Sequence, residues 1–319
     1  MEAFDCSISP RAHRVANHPL ALRGRVAQVR GASLALVAAF LPAGAEAGFT
    51  TINDPADKPF NGATFTNLLG INNSGLIAGF YGSGQAGDPN TGFLLTLPDT
   101  FTPDNFPPPF VQSQMTGLND IGVHTGYTYP TNNGVPVDFQ FGFYETGGKF
   151  TMVNNPKTPD CSVPGACDPG VITENQLLGL TNKDLAVGFY NDRHGVSHGY
   201  TYNIATNTFS ANIDDPNASL TNGGTVAAAI NNSDEIAGFY TDSMGNINGF
   251  LYNAGAFTTV DAPGAAETQL LGLNDNGLAV GFYCTAVNAS GCVGGTMHGL
   301  IFNSLTDTFT TVDAPLGIG

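Results

Sequence analysis

Asp192, His194 and His198 fall close together in the stretch NDRHGVSH. One carboxylate and two imidazoles are donor types that a transition metal takes. Histidines four residues apart across a turn need not face one point, so no metal is assigned to them. His198 and His298 occupy the same place in a repeated phrase, which favours an architectural role for both. His124 stands alone in an apolar run and reads as a packed or exposed residue without a chemical role. Acids are the next candidates. Cleavage of a glycosidic bond needs two carboxylates about 5–10 Å apart. The acids that break the repetition are Asp120, Asp138, Glu145, Glu174, Asp184, Glu235 and Glu267. None lies in a GxSxG, HExxH or P-loop motif. Asp88, Asp192 and Asp242 sit in loops where Ca²⁺ ligands occur, but they lack the spacing of an EF-type loop, so no cofactor is assigned.

Amides form a more regular set. Asn67, Gln114, Gln176 and Gln269 recur at the start of one apolar run, with Val226 as the exception. Asn72, Asn119, Thr181, Asn231 and Asn274 recur at its end. In units arranged about an axis these positions converge, and amides both donate to and accept from sugar hydroxyls. The first set is expected to be a ligand-binding ring at one mouth of a channel. The competing reading has the glutamines holding channel water and the asparagines capping turns.

Cys6 falls within residues 1–47, read below as a leader; the other four cysteines form two close pairs, Cys161/Cys167 in CSVPGAC and Cys284/Cys292 in CTAVNASGC. Even number and local pairing predict two disulfides that staple loops in an oxidising compartment. Each should contribute roughly 2–3 kcal/mol in the chain-entropy picture. A metal site at either pair would need CxxC spacing or a neighbouring histidine, and neither is present.

The elements that must position these residues come from repetition. Five segments share one core: NLLGINNSGLIAGFY (67–81), QMTGLNDIGVHTGYTY (114–129), QLLGLTNKDLAVGFY (176–190), AAAINNSDEIAGFY (227–240) and QLLGLNDNGLAVGFY (269–283). Each reads as two strands about an Asx-type turn. A third run follows at 91–97, 141–146, 198–203, 248–253 and 298–303. A fourth begins at Phe101, Phe150, Phe209, Phe257 and Phe309. The spacing from Gly70 through Gly117, Gly179 and Ala229 to Gly272 is 47, 62, 50 and 43 residues, near the length of a four-stranded blade. The runs are apolar on both faces, as strands sandwiched between neighbours are. The expected fold is all-β, a β-propeller of five blades of four antiparallel strands. Six blades with one partial is the alternative. The recurring glycines are expected to let neighbouring blades approach. FTTI at 49–52 and FTTV at 309–312 both suit the outer strand of the last blade, so one of them is a spare strand.

Residues 1–47 read as a leader: five arginines, the apolar run GASLALVAAFLPAG and Ala-Glu-Ala before Gly48. A buried core helix is the competing reading of that run. The rest, 48–319, is expected to be one domain with no membrane span, secreted or periplasmic and monomeric. It keeps five bases and 23 acids, a net charge of −18. Such a surface repels a phosphate backbone, so no nucleic-acid partner is expected.

The pattern G-[IL]-N-[ND]-x-G-x-[AV]-G-[FY]-Y, followed by [HN]-G-[FLY]-x-[YF], resembles the bacterial extracellular HAF (His-Ala-Phe) repeat. The tripeptide is varied here, as His198-Gly199-Tyr200, Asn248-Gly249-Phe250 and His298-Gly299-Leu300. The resemblance spans 48–319 in five copies. It implies a secreted repeat protein and no particular activity. Relatives often carry a C-terminal sorting segment, which APLGIG at the end of this chain does not resemble. Repetition suits multivalent binding. A non-enzymatic binding or structural propeller engaging a polysaccharide or cell-surface partner is therefore expected. The alternative is a secreted hydrolase of glycosidase or esterase type with carboxylates at the channel mouth.

Overall fold

Every turn between the first and second strands of a unit is closed by its leading side chain. Asn72, Asn119, Asn231 and Asn274 accept through Oδ1, and Thr181 through Oγ1, from the N–H groups two and four residues on. Five such turns organise five four-stranded units in a computed structural model. The last three are joined into one continuous sheet by parallel pairing of Val196 with Gly223 and of Ile247 with Glu267. The structure describes residues 48–314 apart from 86, 133–134, 137–138 and 289–290. The leader expected over 1–47 and the candidate Asp138 lie outside the described residues.

The first blade is β1 (Asn67–Ile71), β2 (Leu76–Tyr81), β3 (Thr91–Thr96) and β4 (Thr100–Pro103). The second is β5 (Gln112–Leu118), β6 (Val123–Tyr129), a small hairpin of β7 (Thr131–Asn132) and β8 (Val135–Pro136), then β9 (Phe141–Thr146) and β10 (Lys149–Val153). The third is β11 (Asn175–Leu180), β12 (Leu185–Asn191), β13 (Val196–Asn203) and β14 (Thr208–Phe209). The fourth is β15 (Gly223–Ile230), β16 (Ile236–Thr241), β17 (Ile247–Asn253) and β18 (Ala256–Val260). The fifth is β19 (Glu267–Leu273), β20 (Leu278–Cys284), a hairpin of β21 (Val287–Asn288) and β22 (Gly291–Cys292), then β23 (Met297–Asn303) and β24 (Thr308–Val312). Within each blade the four main strands pair antiparallel in chain order. The fold is all-β and built of propeller-type blades. Among the described residues no helix is long and apolar enough to cross a membrane.

Each first strand carries a register shift at the same place, beside Gly70, Gly117, Leu180, Ala229 or Gly272. A bulge twists the strand there and brings backbone to backbone across blades. A Cβ on Gly117 would lie 2.3 Å from the Leu178 carbonyl oxygen of the third blade. The second recurring glycine serves a different end from the one expected. A Cβ on Gly79, Gly126, Gly188, Gly238 or Gly281 would lie 1.9–2.2 Å from a first-strand carbonyl oxygen of its own blade. These glycines make room inside a blade, not between blades.

Apolar layers fill the spaces between successive blades. Val123 and Val153 of the second pack on Leu177, Ala186 and Tyr200 of the third. Val187 meets Ala227 and Phe250, and Leu251 meets Leu270, Leu300 and Phe302. Burying a side chain such as Leu177 or Leu270 contributes roughly 1.5–3 kcal/mol.

Two hydrogen-bond series tie blade to blade. The segment leaving one outer strand docks on the next first strand: Phe106 N–H to Ser113 Oγ, Asn155 N–H to Asn175 Oδ1, Asp215 N–H to Thr225 Oγ1 and Ala262 N–H to Thr268 Oγ1, all 2.9–3.1 Å. Asp54 N–H makes the same bond to Thr66 Oγ1, 3.0 Å. Residues 49–52 therefore form no strand. They are the docking segment of the first blade, with Ile52 buried on Ile77, Phe93 and Leu95. The outer place of the fifth blade belongs to β24, which pairs with β23, so neither FTT stretch is a spare strand. The second series runs between turns. Backbone N–H groups of Asn73, Asp120, Asn182 and Asn232 donate to side-chain oxygens of Asp120, Asn182, Asn232 and Asp275, at 2.7–2.9 Å. Among the described residues this ladder does not return from Asp275 to Asn73.

Candidate binding site

The amide set at the start of the first strands is deeply covered. Gln114, Gln176 and Gln269 are at most 3% exposed, and Asn67 is half-buried. Each glutamine has a partner in its own blade, and Gln176 has a second in Gln140 beside β9 of the preceding one. Gln269 Nε2 donates to Glu267 Oε1 at 2.6 Å, and Gln176 Nε2 donates to Glu174 Oε1 at 3.2 Å and to Gln140 Oε1. Tyr127 Oη donates to Gln114 Oε1, 2.5 Å. Residues two apart on a strand share a face, so Glu-x-Gln recurs as one hydrogen-bonded pair at 174/176 and 267/269. The acid in this pair was legible as a lone carboxylate but not as the partner of the amide. Burial raises the Glu267 carboxyl above its ordinary value, against a lowering bond from Gln269. Asn67 Nδ2 donates to the Phe65 carbonyl. Val226 joins Tyr127, Leu178 and Phe189 in an apolar cluster beside this set.

The second amide set closes its own turns, as described above, and Nδ2 of Asn72, Asn119 and Asn231 donates to a carbonyl of the next blade's turn. Asp120 belongs to the same ladder. Bonds from Asn182 and Asn73 hold its carboxyl below the usual range. Asp184 takes positive φ in its turn, and Glu235 accepts from Asn231. The loop acids Asp192 and Asp242 likewise accept from N–H groups two and four residues on, and Asp88 accepts from Ser83 N–H.

The repeated histidines sit alike. His198 stacks on Tyr190 with ring centroids 5.2 Å apart, and its Nδ1 lies 2.9 Å from Asp214. His298 stacks on Tyr283 at 5.0 Å, with Nδ1 2.8 Å from Asp313. Burial alone would lower the His198 pKa, but the hydrogen bond and charge of Asp214, with Asp192 behind, raise it. His194 turns instead to Asp168, 2.9 Å away, so His194 and His198 do not share a ligand point.

His124 departs from its expected isolation. It faces Glu145 across β6 and β9, and Asp104 reaches it from the segment after β4. The three donors were far apart in sequence, and only the strand register revealed them.

A cleft of about 370 Å³ opens beside β9, where the loop closed by Cys161–Cys167 folds over the second blade. Phe139 and Phe141 form its apolar wall. Asn154, Thr158, Asp160, Ser162 and Thr173 bring polar atoms to it. Cys161 N–H donates to Thr173 Oγ1 at 2.9 Å, and Thr173 Oγ1 donates to the Pro159 carbonyl, fixing the loop on the blade. Thr158 Oγ1 is buried and has no protein partner among the described residues. Sequence reading placed the disulfide but not the cleft, since its two walls are joined only by the folded insert. The second disulfide, Cys284–Cys292, is also formed.

No family model matches the chain, and no curated protein matches it. Several solved structures are similar in outline. The six-bladed fucose-binding lectin of Aleuria aurantia is 10% identical, with a TM-score of 0.47 over 80% of this chain and 81% of that one. A polysaccharide lyase of the ulvan lyase type, bound to -[GlcA(1-4)Rha3S]-, is 12% identical, with a TM-score of 0.42 over 80% and 70%. A protein of unknown function from Dyadobacter fermentans is 11% identical, with a TM-score of 0.46 over 80% and 84%. At this identity and superposition the likeness assigns neither activity nor ligand.

Proposed function

We propose that this chain is a secreted, HAF-type repeat protein that binds carbohydrate without transforming it, through the cleft between the second blade and its disulfide-closed insert. The observation that carries this reading is the make-up of the cleft. A wall of two phenylalanines faces a cluster of hydroxyl, amide and carboxylate groups, and one of the hydroxyls, Thr158 Oγ1, is buried without a protein partner among the described residues. Apolar rings with a few placed polar groups form the ordinary composition of a small-ligand site, and hydroxyls, amides and carboxylates match the alternating donors and acceptors of a sugar. The two disulfides fit an exported protein.

A glycan array probed with the purified chain should show binding to a restricted set of glycans. Phe141→Ala and Asp160→Asn should each weaken it at least about tenfold while leaving the far-ultraviolet spectrum unchanged. Titration should give one site per chain, because among the described residues the Cys161–Cys167 insert follows one blade only. Several equal sites would move the reading to the repeated Tyr–His–Asp clusters. Turnover of a chromogenic glycoside abolished by Glu174→Gln or Glu267→Gln would replace binding with hydrolysis.

A further inference from the structure

We infer that Asp104, His124 and Glu145 form a binding site for one divalent transition-metal ion, which clamps the segment leaving the first blade onto the second. His124 Nδ1 lies 3.0 Å from Asp104 Oδ2 and 2.9 Å from Glu145 Oε2. One donor atom of each residue falls within 4.8 Å of the other two. Donors about 2.1 Å from an ion lie about 3.4 Å apart in tetrahedral and about 3 Å apart in octahedral coordination. The two separations from His124 Nδ1, 3.0 and 2.9 Å, match the octahedral case. Imidazole with two carboxylates is a donor set that suits Zn²⁺, Mn²⁺ or Fe²⁺.

Charge and burial make the same point. The three side chains are 7–14% exposed. A neutral imidazole brings at most one proton to Nδ1, so two carboxylates crowd a single hydrogen. Two such anions side by side in a covered place are destabilising unless a cation balances them. Among the described residues no lysine or arginine pairs with either carboxylate. A divalent ion would balance both and would accept the Nδ1 lone pair.

The surroundings hold the donors in place. Asp104 is anchored by its N–H on the Gly92 carbonyl, 2.9 Å away. Gly148 N–H donates to Glu145 Oε1, turning Oε2 toward His124. Bonds of this kind to the outer oxygen of a ligating carboxylate fix its orientation for the metal. His124 and Glu145 sit on paired strands of one blade, while Asp104 comes from the preceding one. An ion here would therefore resist separation of the two blades.

The test uses the chain stripped with chelator and titrated with Zn²⁺ alone, then with Mn²⁺ alone. Calorimetry should find one site per chain, and Zn²⁺ should raise the unfolding midpoint as its concentration rises above Kd. Asp104→Asn, His124→Gln and Glu145→Gln should each weaken binding at least tenfold, while His198→Gln leaves it intact. Two readouts guard against misfolding: far-ultraviolet spectra of each variant, and the effect of metal on the wild-type His124 ring resonances. Perturbation of His124 before any other imidazole supports the site. The proposal is overturned if Zn²⁺ and Mn²⁺ fail to bind, or bind equally to the three variants. It is also overturned if His124 titrates as an imidazolium, indifferent to metal.

Discussion

The middle of the blade series and its two ends use the same residues with different results. In the third blade Leu178 and Leu180 are 6% and 8% exposed. Their counterparts in the first blade, Leu69 and Ile71, are 40% and 56% exposed. Val187 of the third blade is fully covered, while Val280 of the fifth is only half-buried. The repeated glycine behaves likewise. Gly117 abuts the third blade's backbone, whereas a Cβ on Gly272 would meet only Val280 of its own blade, at 2.7 Å. A repeat thus acquires its full burial from the neighbours on both sides. Near-identical sequence does not ensure it, because hydrophobic stabilisation depends on area removed from water and not on residue type.

Substitutions at matched positions break or sharpen this contrast. The largest effect is expected at Gly117. A methyl group there meets a carbonyl oxygen that cannot move without shifting the third blade, so Gly117→Ala should cost about 4 kcal/mol or prevent cooperative unfolding. Gly272→Ala should cost about 1 kcal/mol, since Val280 has room to turn. Urea titration of both variants reads the difference. Equal costs would show that the fifth blade abuts a further surface in solution.

Next in size is the apolar layer. Leu177→Ala, at a fully buried site, should lose about 3 kcal/mol. Leu69→Ala should stay within about 0.5 kcal/mol. A loss at Leu69 as large as at Leu177 would mean that the face of the first blade is covered in solution.

The smallest effect concerns the outer Tyr–His–Asp clusters. The folded-state pKa of His198 is raised by Asp214 and Asp192. The group therefore adds stability that is complete below about pH 6.5, the ordinary histidine value. That stability fades as pH climbs through the raised folded value. His198→Gln should narrow the gap between stability at pH 5.5 and at pH 9 by a few tenths of a kcal/mol, after solvent screening. A gap unchanged by the substitution would show that the pair adds nothing.

Much of this molecule was written in periodicity. The Asx turns and the two cysteine loops depend on residues within eight positions of one another, and the strands of a unit pair over at most 25, from Leu278 to Asn303. Local chemistry decides such features: an asparagine oxygen reaches N–H groups two and four residues on, whatever the rest of the chain does. The role of the Gly-Phe-Tyr glycines was misread because a strand pattern does not say which backbone lies above a Cα. The same limit applied to residues 49–52. They carry the outer-strand phrase, but among the described residues they pair with no strand and do only the docking half of its work.

The candidate sites depend on distance through space. Gln114, Gln176 and Gln269 were recognisable as equivalents, yet their burial follows from neighbours on other strands. His124 met its two acids through strand register and through the path between two blades, over separations of about 20 residues on either side. The cleft at Phe141 exists because an insert of irregular sequence, pinned by Cys161 and Cys167, lies back on a sheet. The amino-acid order by itself determined the blade, the turn and the staple, since each is closed by short-range bonds. Tertiary structure alone decided which repeats are covered, which amides are hidden and which acids meet a histidine, because burial and ligand geometry are properties of what packs alongside.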